Sequence, residues 1–341
     1  MAVLVLCLAV LVVSAGSAPA PPPASGYHLL KKYAIGGEGG WDYLLVDGDA
    51  HRIYISRGTH MMVIDSESGQ LVSDLPDTPG IHGMALVHKL GRGFTSNGRA
   101  GTVTIFDLKT LKAIGQVKVG ENPDAILYDS VSDRVFTFNG RSHDTTAVDP
   151  AAGTAVGTIP LGGKPETGVA DGKGHVYVNI EDKGEMVEFD SRELKVLNRW
   201  SMAPCESPTG LAMAVKKRRL FASCDKLMAV MDADSGKVIT TLPIGPGADG
   251  AAFDPGTSLA FSTNGGDGTL SVVCEESKDK YTLVENVPTM PRARTVRLDP
   301  KTHLVYTVTA EFGPAPAATP ENPRPRPTMV PNSFVVLVLG R

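Results

Sequence analysis

Polar residues of chemically useful types recur along this chain at intervals of about 40 residues. A first series combines four carboxylates with a histidine, a threonine and an arginine: Asp42, His82, Asp124, Glu166, Thr209, Asp249 and Arg294. A second series follows members of the first after a short interval: Arg57, Asn97, Asn139, Asn179, Glu181, Asp182 and Asn264. Arg99 and Arg141 belong to it too, because the sequence Asn-Gly-Arg occurs at both Asn97 and Asn139.

These residue types suit two kinds of ligand. Carboxylate and amide oxygens are hard ligands for Ca²⁺ or Mg²⁺, and a histidine such as His82 widens the choice to Zn²⁺ or Mn²⁺. The arginines of the two series could instead hold a carboxylate or a phosphate through paired hydrogen bonds. Taken singly, any of these residues is more simply explained as the cap of a strand end. A ligand site requires that the fold bring them together.

A repeat of constant length provides a reason for convergence. Five aspartates and a cysteine lie 42, 42, 41, 42 and 42 residues apart, at Asp65, Asp107, Asp149, Asp190, Asp232 and Cys274. Each aspartate closes a short apolar or β-branched run and precedes a turn-forming segment such as DSESGQ or DADSGK. An aspartate side chain can bond the backbone two residues further on, so we interpret this column as turn structure between two strands.

Each repeat contains four strand-like segments, which is typical of a β-propeller blade. Seven first strands begin near the seven members of the first polar series, so we predict an all-β fold with seven blades of four antiparallel strands. The last repeat ends after its third strand, and the orphan strand at 27–35 is expected to complete that blade. In a propeller, the loops before the first strands and those joining second to third strands open on one face around the central channel. The sequence therefore predicts that both polar series meet at the channel mouth.

The repeat resembles the YVTN-type β-propellers, and specifically the YncE-like family of exported bacterial proteins. The resemblance lies in strand pairs such as RVFTFNG, HVYVNIED, RIYISRG and LVYTV, followed by a V-x-D sequence and by segments such as GTAVGTIPLGGKP and GKVITTLPIGPG. It covers nearly everything from Tyr27 to Arg341. It implies a seven-bladed protein of the periplasm or the cell surface, in a family whose members usually lack a demonstrated activity.

The ends of the chain and its cysteines agree with export. Residues 1–25 are apolar and then rich in small residues and proline, like a secretory signal, and 26–341 form a single predicted domain. Cys205 precedes the first strand of the fifth repeat and Cys224 ends its second strand, so a disulfide between them is geometrically plausible; two buried thiols and a metal or redox role are the alternatives. Cys274 is expected to be a lone thiol. A net charge of −4 gives no basic footprint for nucleic acid, and we expect a monomer without a stable membrane span.

Two segments stand out beside the channel. GGEGGWDY, at 36–43, brings Trp41 either to the channel rim or into the packing between blades, and we favour the packing role. A proline-rich insertion at 310–333 lies between the second and third strands of the last blade. Because of its prolines it should be stiff, and it can act as a lid, a docking arm or a buttress.

The function favoured by these patterns is binding without catalysis. The motifs C-x-x-C-H, H-E-x-x-H and G-x-S-x-G and a Walker-type loop are missing from the sequence. We expect a binding module or scaffold with a site for a small ligand, a divalent cation or a partner protein at the channel mouth. One alternative is a metal-dependent hydrolase, lactonase or lyase whose ligands are Glu166, Asp249, Asn97 and Asn139. Another is a docking subunit of a periplasmic redox system.

Overall fold

The computed structural model of the protein describes residues 24–319 and 325–341. The signal-like segment predicted at 1–25 falls almost wholly outside this range. The described residues form seven four-stranded antiparallel sheets arranged in a ring, as the repeat predicts. An N-terminal strand, β1 (His28–Ala34), precedes the first blade. Three short 3₁₀ helices lie between strands, at His88–Leu90, Glu181–Lys183 and Val215–Lys217.

The strands of the blades follow one another in chain order. Blade one contains β2 (Leu44–Asp47), β3 (Arg52–Ser56), β4 (Met61–Asp65) and β5 (Leu71–Leu75). Blade two contains β6 (Ile81–Val87), β7 (Arg92–Asn97), β8 (Thr102–Asp107) and β9 (Ala113–Lys118). Blade three contains β10 (Pro123–Asp129), β11 (Arg134–Asn139), β12 (Asp144–Asp149) and β13 (Thr154–Pro160). Blade four contains β14 (Pro165–Ala170), β15 (His175–Ile180), β16 (Glu185–Asp190) and β17 (Lys195–Ser201).

The remaining blades follow the same plan until the last. Blade five contains β18 (Leu211–Ala214), β19 (Arg219–Cys224), β20 (Leu227–Asp232) and β21 (Val238–Pro243). Blade six contains β22 (Ala248–Asp254), β23 (Leu259–Asn264), β24 (Thr269–Ser277) and β25 (Lys280–Pro288). Blade seven takes β26 (Val296–Asp299), β27 (Leu304–Thr309) and β28 (Val335–Gly340) from the end of the chain.

The N-terminal strand closes the ring, as predicted. β1 pairs antiparallel with β28, from His28 opposite Gly340 to Ala34 opposite Val335. It supplies the fourth strand of blade seven and covers the edge that β28 would otherwise expose. Just before β1, the hydroxyl of Tyr27 donates to the carbonyl of His303 at 2.8 Å.

The core lies between the blades. The second strands are almost wholly buried because both faces of each blade pack against neighbours, whereas outer strands such as β1 and β9 are largely exposed. Seven clusters of buried apolar residues each join two adjacent blades. Tyr54 and Phe106, for example, join blades one and two, and Ile53 and Tyr306 join blades seven and one. Burial therefore continues round the ring without a gap.

The aspartate column forms turns, as predicted. The Oδ1 atom of Asp65 accepts hydrogen bonds from the backbone N–H groups of Glu67 and Ser68, at 3.1 and 2.8 Å. Asp107, Asp149, Asp190 and Asp232 accept equivalent pairs of bonds. In blade six the column holds Cys274 instead, and β24 and β25 there continue to nine residues each. The thiol of Cys274 is half-buried and unpaired, as expected.

The predicted disulfide is present. Cys205 and Cys224 are joined, with their Cα atoms 5.7 Å apart. Cys205 lies in the loop that leads into blade five, and Cys224 ends β19, so the bond ties this loop to the second strand of the blade. In the described residues, no helix is long and apolar enough to cross a membrane.

Candidate functional site

Hydroxyl groups hold the loops of neighbouring blades together around the channel mouth. Asp42 donates its backbone N–H to Ser56 Oγ at 2.9 Å, and its carbonyl accepts from Thr295 Oγ1 at 2.7 Å. Ser96 binds the carbonyl of Asp124 in the same way, and Thr209 donates to the carbonyl of Ala248 at 3.1 Å. The backbones that carry the mouth residues are therefore fixed by bonds from one blade to the next. Thr209 has this structural role.

Three members of the first polar series meet at one side of the mouth. His82 Nδ1 lies 2.6 Å from Asp42 Oδ2 and 3.7 Å from Asp124 Oδ1. One ligand atom from each of the three residues lies within 4.8 Å of the others. The three side chains come from the loops or first strands of blades one, two and three. We call this group the mouth triad.

The electrostatics of the mouth triad reflect crowding and partial burial. Burial alone would lower the pKa of His82, but the hydrogen bond to Asp42 and the charge of Asp124 outweigh it and raise the pKa to about 8. Burial and the nearby charge of Asp42 raise the pKa of Asp124 to about 7, against the opposing effect of His82. Near neutral pH the mouth triad therefore holds protons that a bound cation would displace.

Two cationic side chains neutralise the rest of the mouth. Arg294 donates to Asp249 Oδ2 at 2.5 Å and lies 3.3 Å from Asp42 Oδ1. Burial nevertheless raises the pKa of Asp249 to about 6. Lys164 Nζ lies 2.6 Å from Glu166 Oε1 and also contacts Glu181. Because Glu166 is buried and faces Asp124, its pKa rises to about 8 in spite of the lysine.

The side chain of Tyr43 spans the channel next to the mouth. The backbone of Tyr43 directly precedes the first strand of blade one. Its hydroxyl nevertheless lies 3.4 Å from Thr167 Oγ1 in blade four, and its ring belongs to the apolar cluster between blades three and four. A contact between blades so far apart in the ring crosses the channel. The guanidinium of Arg297 lies 5.6 Å from the tyrosine ring. The side chain of Tyr43 therefore lies across the channel, next to the polar residues of the mouth.

The comparisons with known proteins show the fold. No family model matches the chain, and no curated protein matches its sequence. Among solved structures, the chain is similar to Kuenenia stuttgartiensis hydrazine synthase, with a TM-score of 0.71, 14% identity, and coverage of 79% of this chain and 92% of that chain. It is similar to the structure of U3-55K, with a TM-score of 0.74, 11% identity, and coverage of 93% and 99%. The crystal structure of the RRP9 WD40 repeats gives a TM-score of 0.74, 12% identity, and coverage of 94% and 99%.

These likenesses confirm the seven-bladed β-propeller. At such low identity they show the fold alone and point to neither a ligand nor a reaction.

Three asparagines of the second polar series bind within their own blades. Each is fully buried and donates its side-chain amide to hydroxyls of the next strand. Asn97 bonds Thr104 at 2.8 Å, Asn139 bonds Thr146 at 3.0 Å, and Asn264 bonds Ser271 at 2.8 Å. An asparagine binds a metal through its side-chain oxygen, and here Asn97 Oδ1 accepts from the Thr95 hydroxyl at 2.9 Å and Asn139 Oδ1 from the Thr137 hydroxyl at 3.0 Å. These contacts give no support to Asn97 and Asn139 as metal ligands.

Two other members of the second series bind backbone carbonyls. Asn179 donates to the carbonyls of Thr209 and Gly210, both at 3.1 Å, and so ties blade four to blade five. Arg57 is fully buried and donates to backbone carbonyls of Gly36, Glu38 and Gly39, with its guanidinium 3.8 Å from the Phe334 ring. Its donors therefore stabilise the glycine-rich loop at 36–43, and they are not free to bind an anion.

Arg99 and Arg141 are exposed, and neither has an ion pair with a carboxylate in the described part of the chain. Asp182 accepts the backbone N–H of Lys164 at 2.7 Å. The sequence argument missed Lys164 and Tyr43 as parts of the mouth. Lys164 lies two residues before Glu166, in the loop leading into blade four. This position is the one feature of the sequence from which its place at the mouth could have been predicted.

Trp41 packs between the blades, as we favoured. Its ring lies 5.3 Å from that of Phe334 in blade seven and 5.8 Å from that of Phe312 in the proline-rich insertion. The base of this insertion is a short ladder, in which Gly313 donates to the carbonyl of Thr328 at 2.9 Å and Val330 to that of Glu311 at 2.8 Å. The insertion is thus attached to the same side of the mouth as the loop that carries Trp41.

Proposed function

We propose that the protein is a binding module without catalysis of its own and that its mouth triad binds a divalent cation. The observation that carries the proposal is the distance of 4.8 Å or less among one ligand atom each from Asp42, His82 and Asp124. These three side chains come from separate blades. A cation among them would satisfy carboxylates that now repel one another in a poorly solvated site.

The donor set selects among cations. One imidazole nitrogen and two carboxylates suit Mn²⁺ or Zn²⁺ better than Ca²⁺, which prefers a larger set of oxygen ligands. Binding requires that His82 be neutral and Asp124 ionised, and their pKa values are about 8 and about 7. Cation affinity should therefore rise as the pH increases through this range.

Isothermal titration calorimetry with Mn²⁺, Zn²⁺ and Ca²⁺ measures the affinity of the protein for each cation and tests the proposal. Asp124→Asn keeps the shape of the side chain but removes its charge, and we expect it to weaken Mn²⁺ and Zn²⁺ binding by about tenfold or more. Asp225→Asn is the matched control, because Asp225 lies in a second-to-third-strand loop of blade five and is 62% exposed. Equal affinity in the Asp124 and Asp225 variants, or no binding of the three cations to the unaltered protein, would contradict the proposal.

The hydrolase alternative receives less support from the same contacts. Of its four suggested ligands, Asn97 and Asn139 are bonded within their blades. Glu166 lies 2.6 Å from Lys164, and Asp249 lies 2.5 Å from Arg294, so both carboxylates already have a cationic partner. A metal held by these four residues would need several bonds to be broken first.

We also propose that the protein is exported to the periplasm or the cell surface and is a YncE-like propeller. The disulfide between Cys205 and Cys224 supports export, because such bonds persist in oxidising compartments. Alkylation of the protein in intact cells, followed by mass spectrometry without reductant, tests this. Recovery of both residues as alkylated thiols would contradict export.

A further inference from the structure

A second cleft lies beside the mouth, next to Phe312 and Arg326 of the proline-rich insertion. A cleft of about 610 Å³ is bounded by the loop before blade one, by loops of blade six and by the insertion. Its polar and aromatic side chains are Trp41, Arg292, Arg294, Phe312 and Arg326. This volume falls in the range of cavities that hold small molecules. The mouth triad does not line it.

The charged residues that line this cleft are all cationic. Three of its lining residues are arginines, and none is an aspartate or a glutamate. Arg294 is partly occupied by Asp249 and Asp42. Arg292 and Arg326 have no carboxylate partner among residues 24–319 and 325–341. A planar guanidinium with unused donors is well suited to a carboxylate or a phosphate, which it can bind through two parallel hydrogen bonds.

One of these guanidinium groups is held in place before any ligand arrives. The guanidinium of Arg292 stacks 4.0 Å from the Phe312 ring centroid, and Phe312 in turn packs against Trp41. The backbone of Arg292 is also fixed, because its N–H donates to the carbonyl of Gly265 at 2.7 Å. A side chain that is already ordered loses less entropy when it binds.

The cleft also has an apolar and a backbone surface. Trp41 and Phe312 supply adjacent aromatic rings. Gly40, Gly247, Gly265 and Gly266 line it without side chains. A Cβ atom on Gly266 would lie 2.7 Å from the carbonyl oxygen of Pro246, so packing requires that glycine, but a Cβ on Gly40 would meet nothing within 4 Å. Gly40 therefore leaves open space beside Trp41.

We propose that this cleft binds a small organic anion, in which a carboxylate or phosphate ester is attached to a flat apolar body. Arg292 and Arg326 would hold the oxyanion, and Trp41 and Phe312 would face the apolar body. The site is separate from the cation site proposed above and does not depend on it. Arg294 connects them, because it lines the cleft and contacts Asp42 of the mouth triad at 3.3 Å.

Tryptophan fluorescence offers a direct readout, because the chain has two tryptophans. Trp200 lies on β17 in blade four and stacks on Tyr177, so Trp200→Phe leaves Trp41 as the only indole. In this background we expect saturable changes in emission with phenyl phosphate and with benzoate. Inorganic phosphate should bind about tenfold more weakly, and benzyl alcohol should give no saturable change.

Charge-neutral variants test the assigned arginines. Arg292→Gln and Arg326→Gln should each weaken phenyl phosphate binding by about tenfold. Arg326 is exposed, so its variant tests the site even if Arg292→Gln disturbs the fold. Arg192→Gln is the matched control, since Arg192 is an exposed arginine in the turn between β16 and β17 and does not line the cleft.

Two outcomes would overturn the proposal. One is the absence of a saturable response to both aromatic anions, measured against free N-acetyltryptophanamide to correct for absorption by the probe. The other is unchanged affinity in both the Arg292 and the Arg326 variants. Equal affinity for inorganic phosphate and phenyl phosphate would overturn the part of the proposal that assigns the apolar body to Trp41 and Phe312.

Discussion

Acidic residues occupy two columns of the repeat, one at the turns and one at the channel mouth, and the carboxyls of the two columns behave in opposite ways. The turn column, which includes Asp65 and Asp107, bonds the backbone N–H groups that follow it, and these local hydrogen bonds lower the pKa of both carboxyls. At the mouth, burial raises the pKa of Asp124 to about 7 and that of Asp249 to about 6. Equal spacing therefore does not mean an equal role.

The turn aspartates and the mouth aspartates differ in the groups that stabilise their carboxylate charge. A turn aspartate finds its hydrogen-bond donors within three residues of itself, so its role is complete once the hairpin forms. A mouth aspartate meets donors and acceptors from other blades, and the mouth brings carboxylates together as well as cations. This crowding of charges is the reason for the cation site that we propose at the mouth.

The largest effect should come from the turn column. Asp232 accepts two backbone bonds and also pairs with Arg219, a guanidinium that is only 2% exposed. Asp232→Ala should lower the free energy of unfolding by about 2 to 3 kcal/mol, because a buried charge loses one of its two carboxylate partners. Asp149→Ala removes only turn bonds and should cost about 1 kcal/mol. Urea unfolding measures both values.

This prediction also separates the two columns. If Asp232→Ala and Asp149→Ala cost the same, the pair with Arg219 contributes nothing measurable. If Asp124→Asn at the mouth costs more than Asp232→Ala, the mouth carboxylates are structural and the contrast between the columns fails.

A smaller effect of opposite sign is expected at the mouth, and it depends on pH. Asp124 has an ordinary pKa of 3.8 and a folded pKa of about 7, so its contribution to stability is present below pH 3.8 and is lost as the pH rises to about 7. His82, raised from 6.5 to about 8, acts in the same direction at higher pH. The contribution of these two groups to the stability of the metal-free protein should therefore fall between pH about 4 and about 8.

Asp124→Asn should remove part of that loss. Above pH 7 we expect the variant to be about 1 to 2 kcal/mol more stable than the unaltered protein when a chelator is present, because the remaining carboxylates repel one another less. Near pH 4 the two proteins should unfold at similar urea concentrations. A variant that is less stable at every pH would show that Asp124 serves as a strand cap.

What the sequence predicted correctly depends on local patterns. The turn aspartate recurs in five repeats and the spacing of the strands extends to the others, so the blades and the closing strand β1 could be located without the structure. The disulfide between Cys205 and Cys224 was one of the predicted alternatives, because Cys205 precedes the first strand of the fifth repeat and Cys224 ends its second strand. The meeting of Asp42, His82 and Asp124 followed from the topology of a propeller.

What could not be predicted depends on the reach of individual side chains. Asn97 and Asn139 end second strands, but whether their amides point to the channel or to the next strand is set by register and twist. Tyr43 crosses the channel only because Thr167 and the apolar cluster between blades three and four receive it. Arg57 donates to the carbonyl of Gly36, in a glycine-rich loop that is itself bonded to blade seven through the Gly36 N–H and the Phe334 carbonyl. Such contacts join distant parts of the chain, and no local pattern encodes them.

The smallest predicted effect connects the two proposed sites through Arg294. Its guanidinium contacts Asp42 and Asp249 at the mouth, is 43% exposed, and also lines the arginine-rich cleft. A divalent cation on Asp42 would repel Arg294 and leave it more available to an anion in the cleft. Saturating Mn²⁺ should therefore strengthen phenyl phosphate binding by about two- to fivefold, and phenyl phosphate should strengthen Mn²⁺ binding by the same factor.

Two variants decide whether Arg294 carries this coupling. Arg294→Gln should weaken anion binding somewhat and abolish the effect of Mn²⁺, whereas Arg292→Gln should weaken anion binding but preserve the ratio of affinities with and without Mn²⁺. Simple attraction between the cation and the anion would survive in the Arg294 variant, because that attraction needs no intermediary. If the full coupling persists in Arg294→Gln, the bound cation and the bound anion influence each other through their charges alone. The mouth and the cleft would then be coupled without any side chain that contacts both.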